Sequence, residues 1–259
     1  MRFVFSLAVI SAALLFLHPL AHSELSAQQI IDQMLESDPW GLSGAQVVGA
    51  ATVKDQGGST KVVRFTSRSR RVAKNLSKSL VRITAPADLN GVGLLQIQNK
   101  SSDDERHLFL PDLKRARRIV GSSRSGAFVG TDFSYGDMDR KDIRDSTATL
   151  KGTEKLGKHE CYHLEIVPTG KDALYARLES WVRTDNFVPL KTQMYGKSGA
   201  LLKTQTTQEI QKISGRWFIM KSSMVSENER RSTDLVLEKV TVDDKIEDGE
   251  FTVQNLERL

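Results

Sequence analysis

The stretch Leu156–Gly170, "LGKHECYHLEIVPTG", decides the fold. From His159 to His163 it reads H-E-x-x-H, the zinc-protease pattern. That chemistry needs a helix. There, residues four apart share a face, so both imidazoles reach one zinc while the Glu acts as general base. Gly157 precedes the segment, and Pro168 and Gly170 close it, which is short for a catalytic helix. Tyr162, Leu164 and Ile166 alternate with Cys161, His163 and Glu165, the period-two pattern of a strand with one buried face. A strand rising about 3.3 Å per residue holds the two histidines about 13 Å apart. They cannot then share a zinc whose bonds are about 2.0–2.1 Å long. The other histidines are His18, His22 and His107, and none offers an evident third ligand. The stretch reads as a strand with two partly exposed histidines, without metal or cofactor.

Outward from this strand the text stays strand-like. "VPLKTQMY" places Val188, Leu190 and Met194 on one face, with Lys191 and Gln193 on the other. "GKSG" turns the chain and "ALLKTQTTQE" returns. "GRWFIMKSSMVSE" and "STDLVLEKVTVDD" follow, and "GAQVVGAATVKD" and "TKVVRFTSRS" flank the turn "QGGS" earlier in the chain. "KSLVRITAP", "VGLLQIQN" and "ERHLFLP" complete about ten or eleven strands at hairpin spacing. One helix is clear. In "LSAQQIIDQMLESD", Ser26 and Gln29 make a capping box, and Ile30, Ile31, Met34 and Leu35 make one stripe. The fold class is mainly β with few helices (α+β): a curved antiparallel sheet or open barrel with helices against it. The concave face of such a sheet must be filled by side chains, covered by a helix or occupied by a ligand.

The chain opens "MRFVFSLAVISAALLFLHPLAHSE". One Arg, an apolar run from Phe3 to Leu17, and small residues at Ala21 and Ser23 describe a secretory signal peptide, residues 1–23, cleaved before Glu24. The run is shorter than the ~20 residues a membrane span needs. The expected product is one exported domain over 24–259. Of 37 basic residues only Arg2 leaves with the signal, so 36 basic and 32 acidic residues remain, net +4. That mild excess suits anionic headgroups or an acidic partner. Export argues against a nucleic-acid role. Cys161 is the single cysteine, so no internal disulfide forms. A domain of this length buries a core without staples, and a bacterial periplasmic protein fits.

The most distinctive stretch is "HLFLPDLKRARRIVGSSRSGAFVGTDFSYGDM", His107 to Met138. Lys114, Arg115, Arg117 and Arg118 form a dense basic run. Phe128, Phe133, Tyr135 and Met138 follow, and Thr131 or Asp132 is placed to cap a short helix. Two readings stand side by side. In one, apolar side chains form a mouth for an acylated ligand whose head group meets the arginines. In the other, the aromatics fill the core and the arginines guard a sheet edge.

This central stretch resembles the outer-membrane lipoprotein-sorting-protein-like family, relatives of the periplasmic lipoprotein carrier LolA. "CYHLEIVP", "RLESWVRTDNFVPLKTQMYGKSGALLKT" and "GRWFIMKSSMVSE", with the ending "FTVQNLERL", extend the likeness over most of the exported chain. The resemblance implies an unclosed β-barrel with a helical lid over an apolar cavity. It implies a periplasmic carrier or receptor for lipid or lipoprotein acyl chains. The partner it suggests is a resistance-nodulation-division (RND) type inner-membrane transporter or an outer-membrane receptor. Phe109, Leu113, Phe133, Tyr135 and Met138 are the expected ligand contacts, with Arg115, Arg117 and Arg118 at the head group or a partner. The helix from Ser26 and "SWVRTD" are the expected covering elements.

Catalysis is not expected. "GSSRSG" lacks the G-x-S-x-G spacing and the α/β setting of a serine hydrolase. Cys161 and His163 lie about 6–7 Å apart along one strand face, too far for direct contact. The carboxylate patches Asp103–Glu105 and Asp132, Asp137 and Asp139 read as turns, caps and solvated loops. The alternative to a carrier is a non-lipid periplasmic adaptor that docks an envelope transporter through Lys114–Arg118.

Overall fold

The structure is a computed structural model that describes residues 25–38, 40–41, 44–100, 103–138 and 140–258. The signal peptide and its cleavage site lie outside the described residues. Helix α1 (Ala27–Ser37) starts where the sequence places it, with Ser26 and Gln29 closing both bonds of the capping box. Its buried stripe is Ile30, Ile31, Met34 and Leu35. Strands β1 (Ala45–Lys54), β2 (Thr60–Ala73), β3 (Leu76–Ala85), β4 (Gly93–Ile97), β5 (Glu105–Leu110) and β6 (Arg115–Arg118) follow. The short helix α2 (Lys141–Arg144) precedes β7 (Ser146–Leu156), β8 (His159–Pro168), β9 (Arg177–Arg183) and β10 (Pro189–Tyr195). Strands β11 (Leu201–Ile213), β12 (Arg216–Ser226) and β13 (Arg231–Val242) and helix α3 (Val253–Leu256) complete the chain.

The strands form one antiparallel sheet of thirteen, ordered β6-β5-β4-β3-β2-β1-β13-β12-β11-β10-β9-β8-β7. Every pair is a sequence neighbour except β1 with β13. Two meanders are thus sewn together at one seam, and the sheet ends on β6 and β7 without closing. Residues 119–145 run from one open edge to the other, across the concave face. We call this segment the strap. Phe128 packs against Val63, Val81 and Ile83 on one side of the concavity. Phe133 packs against the cluster of α1, Leu178 and Met194 on the other. Helix α3 lies outside, where Leu256 packs with Leu80, Leu95 and Phe109.

Several expectations are corrected. Among the described residues there are thirteen strands rather than about ten or eleven. "SWVRTD" is no cover: its first four residues belong to β9, where Leu178 and Val182 face the core. No helix starts at Thr131 or Asp132. Ala127 and Ser134 instead form an isolated antiparallel bridge around a tight loop. "HECYH" opens strand β8, after a turn in which Gly157 has a φ of +61°. Leu164 and Ile166 are buried on the concave side, and His163 stacks on Trp181 on the other, with ring centroids 4.5 Å apart.

Candidate functional site

The alternation of each strand builds an apolar concave floor. Val47 and Ala51 of β1, Val63 and Phe65 of β2, and Val81 and Ile83 of β3 line one half. Leu178, Met194, Ile219, Leu235 and Leu237 line the other. Gly49 leaves room for Phe65: a Cβ there would stand 2.7 Å from the ring. The roof is Met34 of α1, Trp40, and Phe128, Val129, Phe133, Met138 and Ile143 of the strap. Between floor and roof lies an empty space of about 1520 Å³, part of it open to solvent. Two polar groups of its wall are held by neighbours. Gln96 donates to the Tyr135 carbonyl at 3.2 Å, and Thr192 meets Ser180 at 3.1 Å.

Four polar anchors hold the roof in place. Arg124, fully buried, bonds Asp142 at 3.1 Å and the Asp172 carbonyl at 2.6 Å. Asp132 accepts from Thr233 at 2.6 Å and Arg231 at 3.0 Å, and its own amide donates back to Thr233. Asp137 accepts from the Tyr175 hydroxyl at 2.5 Å and Lys203 at 2.8 Å. Burial, with the Asp137 charge added, pushes the Tyr175 hydroxyl well above the usual tyrosine range, so it stays a donor. Arg140 meets Asp38 at the end of α1 and stacks over Trp40, 5.1 Å from the ring centre. Carboxylates, hydroxyls and cations thus rim an apolar hollow. The arrangement can hold an apolar ligand and exclude water. Among the described residues, no group of three or more His, Cys, Asp or Glu could hold a metal ion.

Phe133 and Met138 line the cavity. Tyr135 packs edge-on against Phe128, ring centroids 5.9 Å apart, within the neighbouring apolar cluster. Phe109 points the other way. It is buried on the convex side with Leu95, Phe251 and Leu256, because its strand neighbour Leu108 takes the concave face. Leu113 is exposed on the β5–β6 turn. Arg115, Arg117 and Arg118 are exposed on the edge strand β6 and are not among the lining residues. Sequence reasoning missed the floor residues of β1 to β3 and the anchors Asp38, Arg140, Tyr175 and Lys203. The alternation within β1 to β3 is a signal for the floor; the anchors carry none, since their partners are far apart in the chain.

A family model described as "-like: Uncharacterized protein" matches residues 75–258. No curated protein matches the chain. Among solved structures, a protein from Vibrio parahaemolyticus described as an outer membrane lipoprotein-sorting protein domain superposes with a TM-score of 0.82 at 25% identity. The match covers 90% of this chain and 98% of that one. A DUF1329 family protein from Desulfovibrio piger gives a TM-score of 0.80 at 27% identity, covering 89% and 99%. A LolA superfamily protein from Nitrosomonas europaea gives 0.71 at 22% identity, covering 88% and 98%.

Proposed function

The chain belongs to the family whose model spans residues 75–258 and has a LolA-like fold, and from that premise we propose that it carries or receives lipid or lipoprotein acyl chains. The observation that carries this reading is the apolar cavity under the strap and α1. A buried acyl chain gains about 0.8 kcal/mol per CH₂, so such a hollow binds it without polar specificity. The likeness to a lipoprotein-sorting domain supports the same ligand class. Phe133 and Met138 are the residues we place against the chain. Entry and release require the strap or α1 to lift, which the rim of separate polar anchors allows one contact at a time. The protein acts in the periplasm as a single domain over 24–259, freed from its signal peptide. It works as a carrier rather than an enzyme, with an RND-type transporter or an outer-membrane receptor as its exchange partner.

Native mass spectrometry of the protein exported from a Gram-negative host tests this. A lipid-sized adduct lost on denaturation is expected. A bare protein that also fails to take up added phospholipid or acylated peptide would overturn the reading.

A further inference from the structure

We propose that the edge strand β6 and its two flanking turns form a docking surface for an anionic bilayer. Four cations, Lys114, Arg115, Arg117 and Arg118, fall within five positions, and all four are exposed. Several cations on other strands are paired, as Lys54 is with Asp234, Arg64 with Glu238, Arg68 with Glu250 and Lys78 with Asp248. Among the described residues, none of the four cations around β6 is in an ion pair. The acidic groups nearby include Asp112 in the turn, Glu257, which accepts from the Ala116 amide at 2.7 Å, and Glu105 of β5, which meets His107, the register partner of Arg118.

The apolar residues decide what the cations meet. Leu113, 53% exposed, and Val120, 57% exposed, are the most exposed large hydrophobics among the described residues, and they bracket β6 at its two ends. A guard against strand pairing explains arginines on an edge. It does not explain bare Leu and Val beside them. Protein partners that add a strand are disfavoured, since Glu257 already holds the edge amide of Ala116. By strand alternation Arg115 and Arg117 stand on one face of the sheet and Arg118 on the other. Edge-on, the strand is a comb of cations with an apolar tip at each end. That shape fits a planar surface whose charge lies outside and whose apolar layer lies beneath. Strand β6 runs straight into the strap, so docking would set the cavity's roof beside the bilayer. That last consequence, not the docking itself, rests on the carrier reading.

Vesicle flotation tests the docking. The exported protein is expected to float with vesicles of phosphatidylethanolamine and phosphatidylglycerol, not with phosphatidylcholine alone, and to be released by salt. Replacing Lys114, Arg115, Arg117 and Arg118 together by Gln should weaken binding at least about tenfold, since each cation contributes about fivefold near an anionic surface. Leu113→Ser with Val120→Ser should weaken it while leaving the charge unchanged. Both variants change exposed side chains, and an unaltered thermal transition shows that they fold. Absence of flotation, or equal flotation of the Gln variant, overturns the proposal. Capture of an acidic protein through the same four cations, without flotation, overturns it in favour of a protein partner. A protein that floats but carries no lipid keeps the docking and sinks the carrier; one that carries lipid but does not float does the reverse.

Discussion

The Asp38 carboxylate lies 3.3 Å from the Arg140 guanidinium, and the two side chains are 0% and 6% exposed. Asp38 caps the end of α1, and Arg140 lies in the strap just before α2. The other carboxylate oxygen stands 3.4 Å from Arg216, at the start of β12. One buried carboxylate therefore joins the lid helix, the strap and the sheet. Removing one member of a buried ionic cluster leaves the other charges without their compensation. Asp38→Ala should destabilise the protein by about 3–5 kcal/mol, read as a lower urea midpoint.

Thr233 holds the strap at a second place, by giving and taking hydrogen bonds with Asp132. Thr233→Val keeps the shape of the side chain and loses both bonds. About 1–3 kcal/mol should go with them. Hydrogen exchange should quicken first in the strap near Asp132 and little in β1 or β13. Uniform acceleration would show that Thr233 supports the sheet and not the strap.

Phe133 and Phe109 should part company when each is changed to Asp. Phe133 lines the cavity, so its charged variant should lose lipid while still folding. Phe109 is 2% exposed on the far side of the sheet, and a charge there would be buried among Leu95, Phe251 and Leu256, beside an Arg82 guanidinium already committed to the carbonyls of Gly91 and Leu256. Phe109→Asp should not fold, and even Phe109→Ala should cost about 3–5 kcal/mol. Circular dichroism with lipid extraction separates the two. Lipid retained by folded Phe133→Asp would move the ligand elsewhere.

Acid should loosen the strap's root at Asp172. Burial works against its charge, but the Lys141 hydrogen bond and the Arg124 charge outweigh burial and hold the carboxyl below its ordinary value. A depressed carboxylate adds stability above its unfolded pKa, about 3.9, and that stability is lost as pH falls through the lower folded value. Asp172→Asn should be less stable than the parent near neutrality, and the gap should close below about pH 4. A constant gap would assign the effect to packing.

Cys161 should resist alkylation in the native protein. It is fully buried, and burial pushes its thiol up, away from the reactive thiolate. Iodoacetamide should label it only after denaturant is added; rapid native labelling would show that β8 opens readily.

Much of the sheet was legible because its strands obey period two. "HECYHLEIVP" showed it plainly, and the α1 cap needed only Ser26 and Gln29. Three strands escaped notice: β9, read as a cover although Leu178, Ser180 and Val182 alternate inward, and the two edges. "RARR" has no apolar alternation, and β7, exposed along most of its length, has little to hide. The cavity wall was legible in Phe133 and Met138. It failed at Phe109, because Leu108 and Phe109 are both apolar and alternation alone does not say which faces in. The anchors were invisible for another reason: Asp132 and Thr233 are separated by 101 positions, and no local pattern links them.

The seam between β1 and β13 carries one more consequence. All sheet continuity passes through it, so the strap contributes no pairing between the two meanders. A chain cut within the strap would stay in one piece, and new ends placed there would leave every strand in register. The roof is therefore an exchangeable part. Its length and lining can be altered without rebuilding the vessel beneath.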